Sequence, residues 1–318
     1  MDLINPIYVY HYCSMDTFYS IIKNRTIRLS DITKSNDSME VLWILKYINE
    51  IFNGVYEKKT SDEVKLSFPF QEFQKYSRNS GFTFDNLNEN STCFVFCLSE
   101  SSDQLSQWRG YADDGKGVSI GIKLELLKEL GIPIDSNDPD RFLMFDKVKY
   151  LESKQRAIVR KVAENLIEGI NKFYSTNNRL GSKPDNYDKK LDDFFEDAYS
   201  DLFEKSVFCK NVFFKEEHEW RLCHIRGRKP SDFYNSKNGL ILKHGITLKN
   251  LSFLEKDSKL IPYLDIDFSR KNPNIDFIST IVIGPKASSS IVDVRNFLLS
   301  EHLDIANILI EKSQGTYR

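Results

Sequence analysis

"PIYVYHYCSMDTFYSIIKNRTIRLSD", residues 6–31, holds a strand, a helix and a second strand in succession. Residues 6–14 are rich in β-branched and aromatic side chains, the composition of a strand. Behind Ser14, a natural N-cap, Phe18, Ile21 and Ile22 recur at helical spacing, and "TIRLSD" returns as a short strand. If the chain kept alternating in this way, a doubly wound parallel sheet would follow. If strands and helices then gather in blocks, the fold is α+β.

The following segments settle that choice in favour of blocks. "SNDSMEVLWILKYINEIF" (35–52) opens on an N-cap cluster and continues as an amphipathic helix, and residues 55–90 are polar and turn-rich with short helical pieces. "STCFVFCLSE" (91–100) is a strand, "SDQLSQWRGYA" (102–112) a short helix or turn, and "DDGKGVSIGIKL" (113–124) an Asp-Gly turn running into a strand. "FLMFDKVKYL" (142–151) adds another strand. Residues 151–206 are helical: Ile158, Val162, Leu166, Ile170 and Phe173 form one apolar stripe, Leu191, Phe194, Ala198 and Leu202 a second, with "STNNRLGSKPDN" (175–186) as the linker of an antiparallel hairpin. Strands resume at 213–223, "GLILKHGITL" (239–248), "LIPYLDIDF" (260–268) and "ISTIVIGPK" (278–286), before a helix at about 287–300 and a last strand, "DIANILIEKS" (304–313). The expectation is an α+β protein with a mixed or antiparallel sheet, one domain over 1–318, and a helical hairpin insertion at 151–206.

The chain has 318 residues, 41% hydrophobic and 28% charged, enough for one large or two ordinary cores. A net charge of −2 argues against a general grip on nucleic acid or anionic lipid. No apolar run approaches the roughly 20 residues that span a bilayer, and the N-terminus lacks the basic start and cleavage site of a secretory signal, so a cytoplasmic protein with no membrane partner is expected. The odd count of five cysteines, Cys13, Cys93, Cys97, Cys209 and Cys223, reads as buried free thiols. "CFVFC" lacks zinc-ligand spacing, and no metal site is expected.

"FFKEEHEWRLC", residues 213–223, carries the most suggestive chemistry. Read as an extended strand, it places Glu217 and Glu219 on one face about 6–7 Å apart, flanked by Lys215 and Arg221. That pattern describes either a charged ladder facing water or two carboxylates set for acid–base work. His11 lies mid-strand between Tyr10 and Tyr12, where a lone histidine is more often a hydrogen-bonded core residue than a catalyst. "SQWRGYADD" (106–114) gathers Trp108, Arg109 and Tyr111, either a stacked structural knot or the wall of a pocket for a planar ring. "GKGVSIG" (115–121) lacks the ending of a phosphate loop and reads as a hairpin turn, "RGRKP" (226–230) as a solvated basic turn, and "DFFED" (193–197) as a solvated helix face rather than a metal cluster.

With "YHYCS", "LSDITKSNDSMEV", "FCLSESSDQLSQWRGYADDGKGVSIGI", "KEEHEWR", "IVIGPK" and the final "KSQGTYR", the sequence resembles the bacterial family of unknown function numbered twenty-nine seventy-one. A second resemblance, carried by "YHYCS" with its following helix and by the late "EHE", is to the ADP-ribosyltransferases and their fold. It implies NAD as substrate. Under it His11 binds the adenosine ribose with Ser14 assisting, Trp108 or Tyr111 stacks on nicotinamide within a site that includes Arg109 and Arg221, Glu219 is the catalytic carboxylate, and Glu217 orients the acceptor. The implied activity is ADP-ribose transfer to a macromolecular acceptor or NAD hydrolysis, as a toxic effector in bacterial antiviral defence. The alternative is a non-catalytic sensor or interaction module that binds a nucleotide or a phage component.

Overall fold

The computed structural model describes residues 7–34, 43–61, 68–79, 91–131, 143–180, 186–227, 239–256, 258–271 and 276–316. Along the chain the elements are β1 (Tyr8–Cys13), α1 (Met15–Asn24), β2 (Thr26–Asp31), α2 (Ile48–Ser61), α3 (Phe70–Asn79), β3 (Ser91–Ser99), α4 (Leu105–Tyr111), β4 (Val118–Lys123), α5 (Leu124–Leu130) and β5 (Met144–Lys147). They continue with α6 (Glu152–Leu180), α7 (Tyr187–Ser206), β6 (Glu219–Gly227), β7 (Leu240–Ile241), β8 (Thr247–Leu248), β9 (Ser252–Lys256), β10 (Lys259–Asp267), β11 (Thr280–Ile283), α8 (Ile291–Ser300) and β12 (Leu309–Lys312).

The chain divides into two compact units. The first comprises Met1–Lys34, Thr92–Val148 and Lys215–Arg318, the second Ser35–Ser91 and Lys149–Phe214. The helical stretch expected as an insertion at 151–206 falls in the second unit, which also takes in residues 35–91.

The first unit is built on a mixed sheet. Its strand order is β12-β11-β4-β1-β3-β2-β10-β8-β7, with β6 paired to β3, β5 to β6 and β9 to β10. β1 runs antiparallel to β3 and β4, and β10 to β2, whereas β12 lies parallel to β11. The strands and helices are segregated, and the fold is α+β.

Alternation along the strands separates two faces. Val9 and Cys13 of β1, Phe94, Phe96 and Leu98 of β3, and Trp220 and Leu222 of β6 enter one core together with Phe18, Ile21 and Ile22 of α1, Leu127 and Leu130 of α5, and Leu298 of α8. Each fully buried Phe, Leu or Ile there contributes about 1.5–3 kcal/mol. Tyr12 turns to the opposite face, where it packs with Trp108, Ala112 and Val282, and Tyr10 lies against them. Ser14 caps α1, its hydroxyl accepting from the Thr17 amide at 3.2 Å, and Ser290 closes a capping box with Asp293 at the start of α8.

Between α4 and β4 the chain reverses through three left-handed residues, Asp113, Asp114 and Gly115, with φ of 48°, 53° and 85°. The strand then enters at Gly117, where a Cβ would lie 2.0 Å from the Cys13 carbonyl oxygen, so only glycine permits this approach.

The second unit has its own core. Ile48, Ile51, Phe52 and Val55 of α2 pack in one cluster with Phe73 of α3, with Val162, Leu166 and Ile170 of α6, and with Leu191, Phe195 and Leu202 of α7. Both helical stripes expected from the sequence therefore face a core, with Ile158, Phe173 and Phe194 half-buried at its edge.

Several boundaries differ from the sequence reading. The helix expected from residue 35 begins at Ile48 after a short 3-10 turn at Leu45–Tyr47, and residues 35–42 lie outside the described residues. The linker expected from 175 is helical to Leu180. "GLILKHGITL" is not one strand but two short ones, β7 and β8, joined by a 3-10 turn in which His244 has φ 60°. Cys97 is exposed, while the other four thiols are buried.

The correction that matters most for chemistry concerns residues 213–218. They are not extended: Val212–Glu217 form a 3-10 turn, His218 is left-handed at φ 44°, and β6 begins only at Glu219.

Candidate functional site

That turn sends the two glutamates to different partners. Glu217 is nearly buried and accepts a hydrogen bond from the Tyr111 hydroxyl at 2.9 Å. Glu219 is buried and clasped by the guanidinium two residues further along its own strand, with Arg221 Nε donating to Oε1 at 2.8 Å and Nη2 to Oε2 at 3.0 Å. Arg221 itself is 0% exposed. The forked contact is the strong, geometrically specific form of a charge-assisted bond.

The turn is fastened to the loop after β3. The Ser99 hydroxyl donates to the Glu217 carbonyl at 2.8 Å, Gln104 Nε2 to the Glu216 carbonyl at 2.6 Å, and the Glu100 amide to the His218 carbonyl at 3.2 Å. Glu100 accepts from Trp220 Nε1 at 2.8 Å and from Lys147 Nζ at 2.6 Å. Each bond joins segments far apart in sequence, which fixes the Glu217 backbone from several sides.

Helix α4 is held by a second centre, Asp103. Its carboxylate accepts from the Trp108 indole at 2.6 Å, the Ser313 hydroxyl at 2.6 Å and the Gln314 amide at 2.7 Å. Burial alone would raise this acid, but those bonds outweigh it and hold Asp103 below the usual carboxylate range. The Tyr12 phenol, pushed up by burial, donates to the Ser101 carbonyl at 2.9 Å and accepts from the Gln104 amide at 3.0 Å. Its ring meets Trp108 edge-on at 4.7 Å. Trp108 is thus an enclosed anchor and not an open stacking platform. Tyr111, 39% exposed, presents the accessible ring, and Arg109 is exposed beside it.

His11 stands apart from this group. It shares the face of β1 that carries Val9 and Cys13, and its ring lies 4.2 Å from that of Phe96. Glu219 and Arg221 alternate with Trp220 and Leu222, which enter that same core, so the imidazole and the Glu219 carboxylate leave opposite faces of the sheet. Burial pushes His11 down to about 4, against the pull of its Nδ1 contact with the Cys97 carbonyl at 3.0 Å. It is a neutral ring near pH 7. Ser14 is occupied as the cap of α1. Among the sequence-predicted residues, then, the structure joins Tyr111 to Glu217, pairs Glu219 with Arg221, anchors Trp108 on Asp103 and Tyr12, and leaves His11 and Ser14 elsewhere.

Glu100, Asp103 and Gln104 escaped the sequence reading, and Ser99 entered it only as the serine that "FCLSE" offers for the middle of the ADP-ribosyltransferase signature. Set in "LSESSDQL", they look like the polar residues of any solvated loop, and most of the partners that give them roles lie far away in the sequence. Among the described residues, no three of His, Cys, Asp and Glu are placed to hold a metal ion, and no helix is long and apolar enough to cross a membrane.

No curated protein and no solved structure matches the chain. Residues 107–222, a span that includes Trp108, Tyr111, Glu217, Glu219 and Arg221, match the model of the family described as "Protein of unknown function (DUF2971)".

Proposed function

We propose that the protein binds NAD and breaks its nicotinamide–ribose bond, transferring ADP-ribose to an acceptor or to water, with Glu217 as the reacting carboxylate. The resemblance to the ADP-ribosyltransferases motivates this reading. The observation that carries it is the pairing of a half-exposed aromatic ring, Tyr111, with a nearly buried, backbone-pinned carboxylate, Glu217. The nicotinamide of NAD is planar and positively charged, and an aromatic ring beside a carboxylate is chemically complementary to it. As the bond breaks, nicotinamide leaves with the electron pair and the ribose becomes oxocarbenium-like. A fixed carboxylate that accepts a hydrogen bond from the ribose 2′-hydroxyl stabilises that charge. Tyr111 orients Glu217 beside its half-exposed ring, whereas Glu219 is buried against Arg221. Consumption of a central cofactor is a toxic output, the form a defence effector takes in a bacterial cytoplasm.

The test is incubation of the purified protein with NAD, following nicotinamide release and labelled acceptor, for wild type, Glu217→Gln and Tyr111→Phe. Loss of a positioned charge-stabilising group costs on the order of 10²–10³ in rate, and Glu217→Gln is expected to show it. Wild type that neither binds nor cleaves NAD, or a Glu217→Gln enzyme of full rate, refutes the proposal.

A second reading, a non-catalytic module that binds a nucleotide or a phage component, is favoured by one observation: His11 and Glu219 leave opposite faces of the sheet. It predicts binding without turnover, and biological activity that survives Glu217→Gln.

A further inference from the structure

The parallel pair β11 and β12 is joined through α8, and a cavity of about 520 Å³ opens where both strands end. Ligands of sheets with parallel strands collect outside the carboxyl ends of those strands, and the volume lies in the range of small-molecule sites, about 300–1,000 Å³. Leu105, Trp108, Val282 and Pro285 give it an apolar wall. Residues Ser102, Glu311, Lys312 and Gln314 supply polar groups of four different kinds.

We infer that this cavity is a binding site for a nucleoside monophosphate group. Leu105 and Pro285, the accessible part of that wall, suit the face of a base, and the Gln314 amide, donor and acceptor at once, suits its edge. A carboxylate such as Glu311 is the group that accepts hydrogen bonds from a ribose diol, and the Lys312 ammonium is a point-charge partner for phosphate. Neither Glu311 nor Lys312 enters an ion pair among the described residues. The Asp103 carboxylate, also in the lining, is already filled by Trp108, Ser313 and Gln314, and its role is to hold the closing segment 313–315 in place. The cavity is therefore preorganised on both sides, and the site does not depend on chemistry at Glu217. Its natural occupant is either a free mononucleotide or the mononucleotide half of a dinucleotide.

Calorimetric titration of the full chain with AMP, adenosine and NAD tests the assignment. Saturable AMP binding is expected, weakened about tenfold or more by Leu105→Trp, which fills the cavity. Lys312→Ala is expected to weaken AMP by about the same factor while leaving adenosine unchanged. Both residues are exposed, so the variants should keep the wild-type melting temperature. NAD binding more than about tenfold tighter than AMP, and displaced by it, identifies the dinucleotide as the source. Equal or weaker NAD binding identifies the free mononucleotide. The inference is overturned if neither AMP nor NAD saturates below about 1 mM, or if both variants bind as wild type does. Glu217→Gln should retain AMP binding, so failure of the cavity and failure of the proposed cleavage are separate results.

Discussion

Replacing Arg221 by Met should destabilise the first unit about as much as truncating a large side chain of the apolar core nearby. Its guanidinium, 0% exposed, is held at 2.8 and 3.0 Å by both oxygens of a carboxylate that is itself buried. Removing the cation takes the guanidinium from a buried carboxylate, and breaking a buried pair from one side costs about 3–5 kcal/mol. For a unit of this size each kcal/mol moves the melting temperature by about 2–4 °C, so a drop of roughly 6–20 °C is expected by circular dichroism, with a matching fall in the urea midpoint. Pairing Arg221→Met with Glu219→Leu removes both charges and with them both desolvation penalties, and should recover most of the loss. A single variant within about 1 kcal/mol of wild type, or a double variant no more stable than the single, would refute the assignment of this pair as a buried structural clasp. The same reasoning warns that lost activity in Glu219→Gln must be read against its folding, because it too leaves one buried partner unmatched.

The remaining predictions test the other placements. Because burial holds His11 at about 4 in the folded state against about 6.5 when unfolded, the unfolded chain takes the proton first. Stability is full above about pH 6.5 and is lost as pH falls towards 4, by up to about 3 kcal/mol. His11→Phe should flatten the urea-midpoint profile in that window, and an unchanged profile would contradict the placement. Gly117→Ala drives a Cβ into the Cys13 carbonyl and should yield no soluble folded protein, unlike Gly110→Ala, where nothing lies within 4 Å. Ser14→Ala should lose about 1 kcal/mol of stability through the missing cap while leaving NAD binding and nicotinamide release unchanged; a selective loss of NAD affinity would return Ser14 to the site.

Local signals were legible in the sequence wherever one residue type settles the backbone. Ser14 followed by Phe18, Ile21 and Ile22 gave a capped helix, and the apolar stripes of α6 and α7 gave helices with a face to bury, because period and capping act within a few residues. The turn at 212–217 was not legible for the same reason in reverse. "KEEHEW" runs straight into the apolar alternation of a strand, and nothing in its composition announces that His218 adopts φ 44°. The energy that holds it comes from Ser99, Glu100 and Gln104, more than a hundred positions earlier, so no reading confined to the segment could weigh it.

The consequence is chemical as well as geometric. An extended strand would have made Glu217 and Glu219 equivalent, two acids repelling each other on one face. The left-handed residue between them breaks the equivalence by assigning a different hydrogen-bond donor to each. A guanidinium gives Glu219 a permanent countercharge, which suits a carboxylate that must remain buried and ionised. A phenol at 2.9 Å gives Glu217 direction and sets it beside a half-exposed ring. If Glu217 takes part in a reaction it does so from beside the accessible ring of Tyr111, whereas Glu219 lies buried against Arg221, so Glu217→Gln should lose nicotinamide release at unchanged stability and Glu219→Gln should lose stability first.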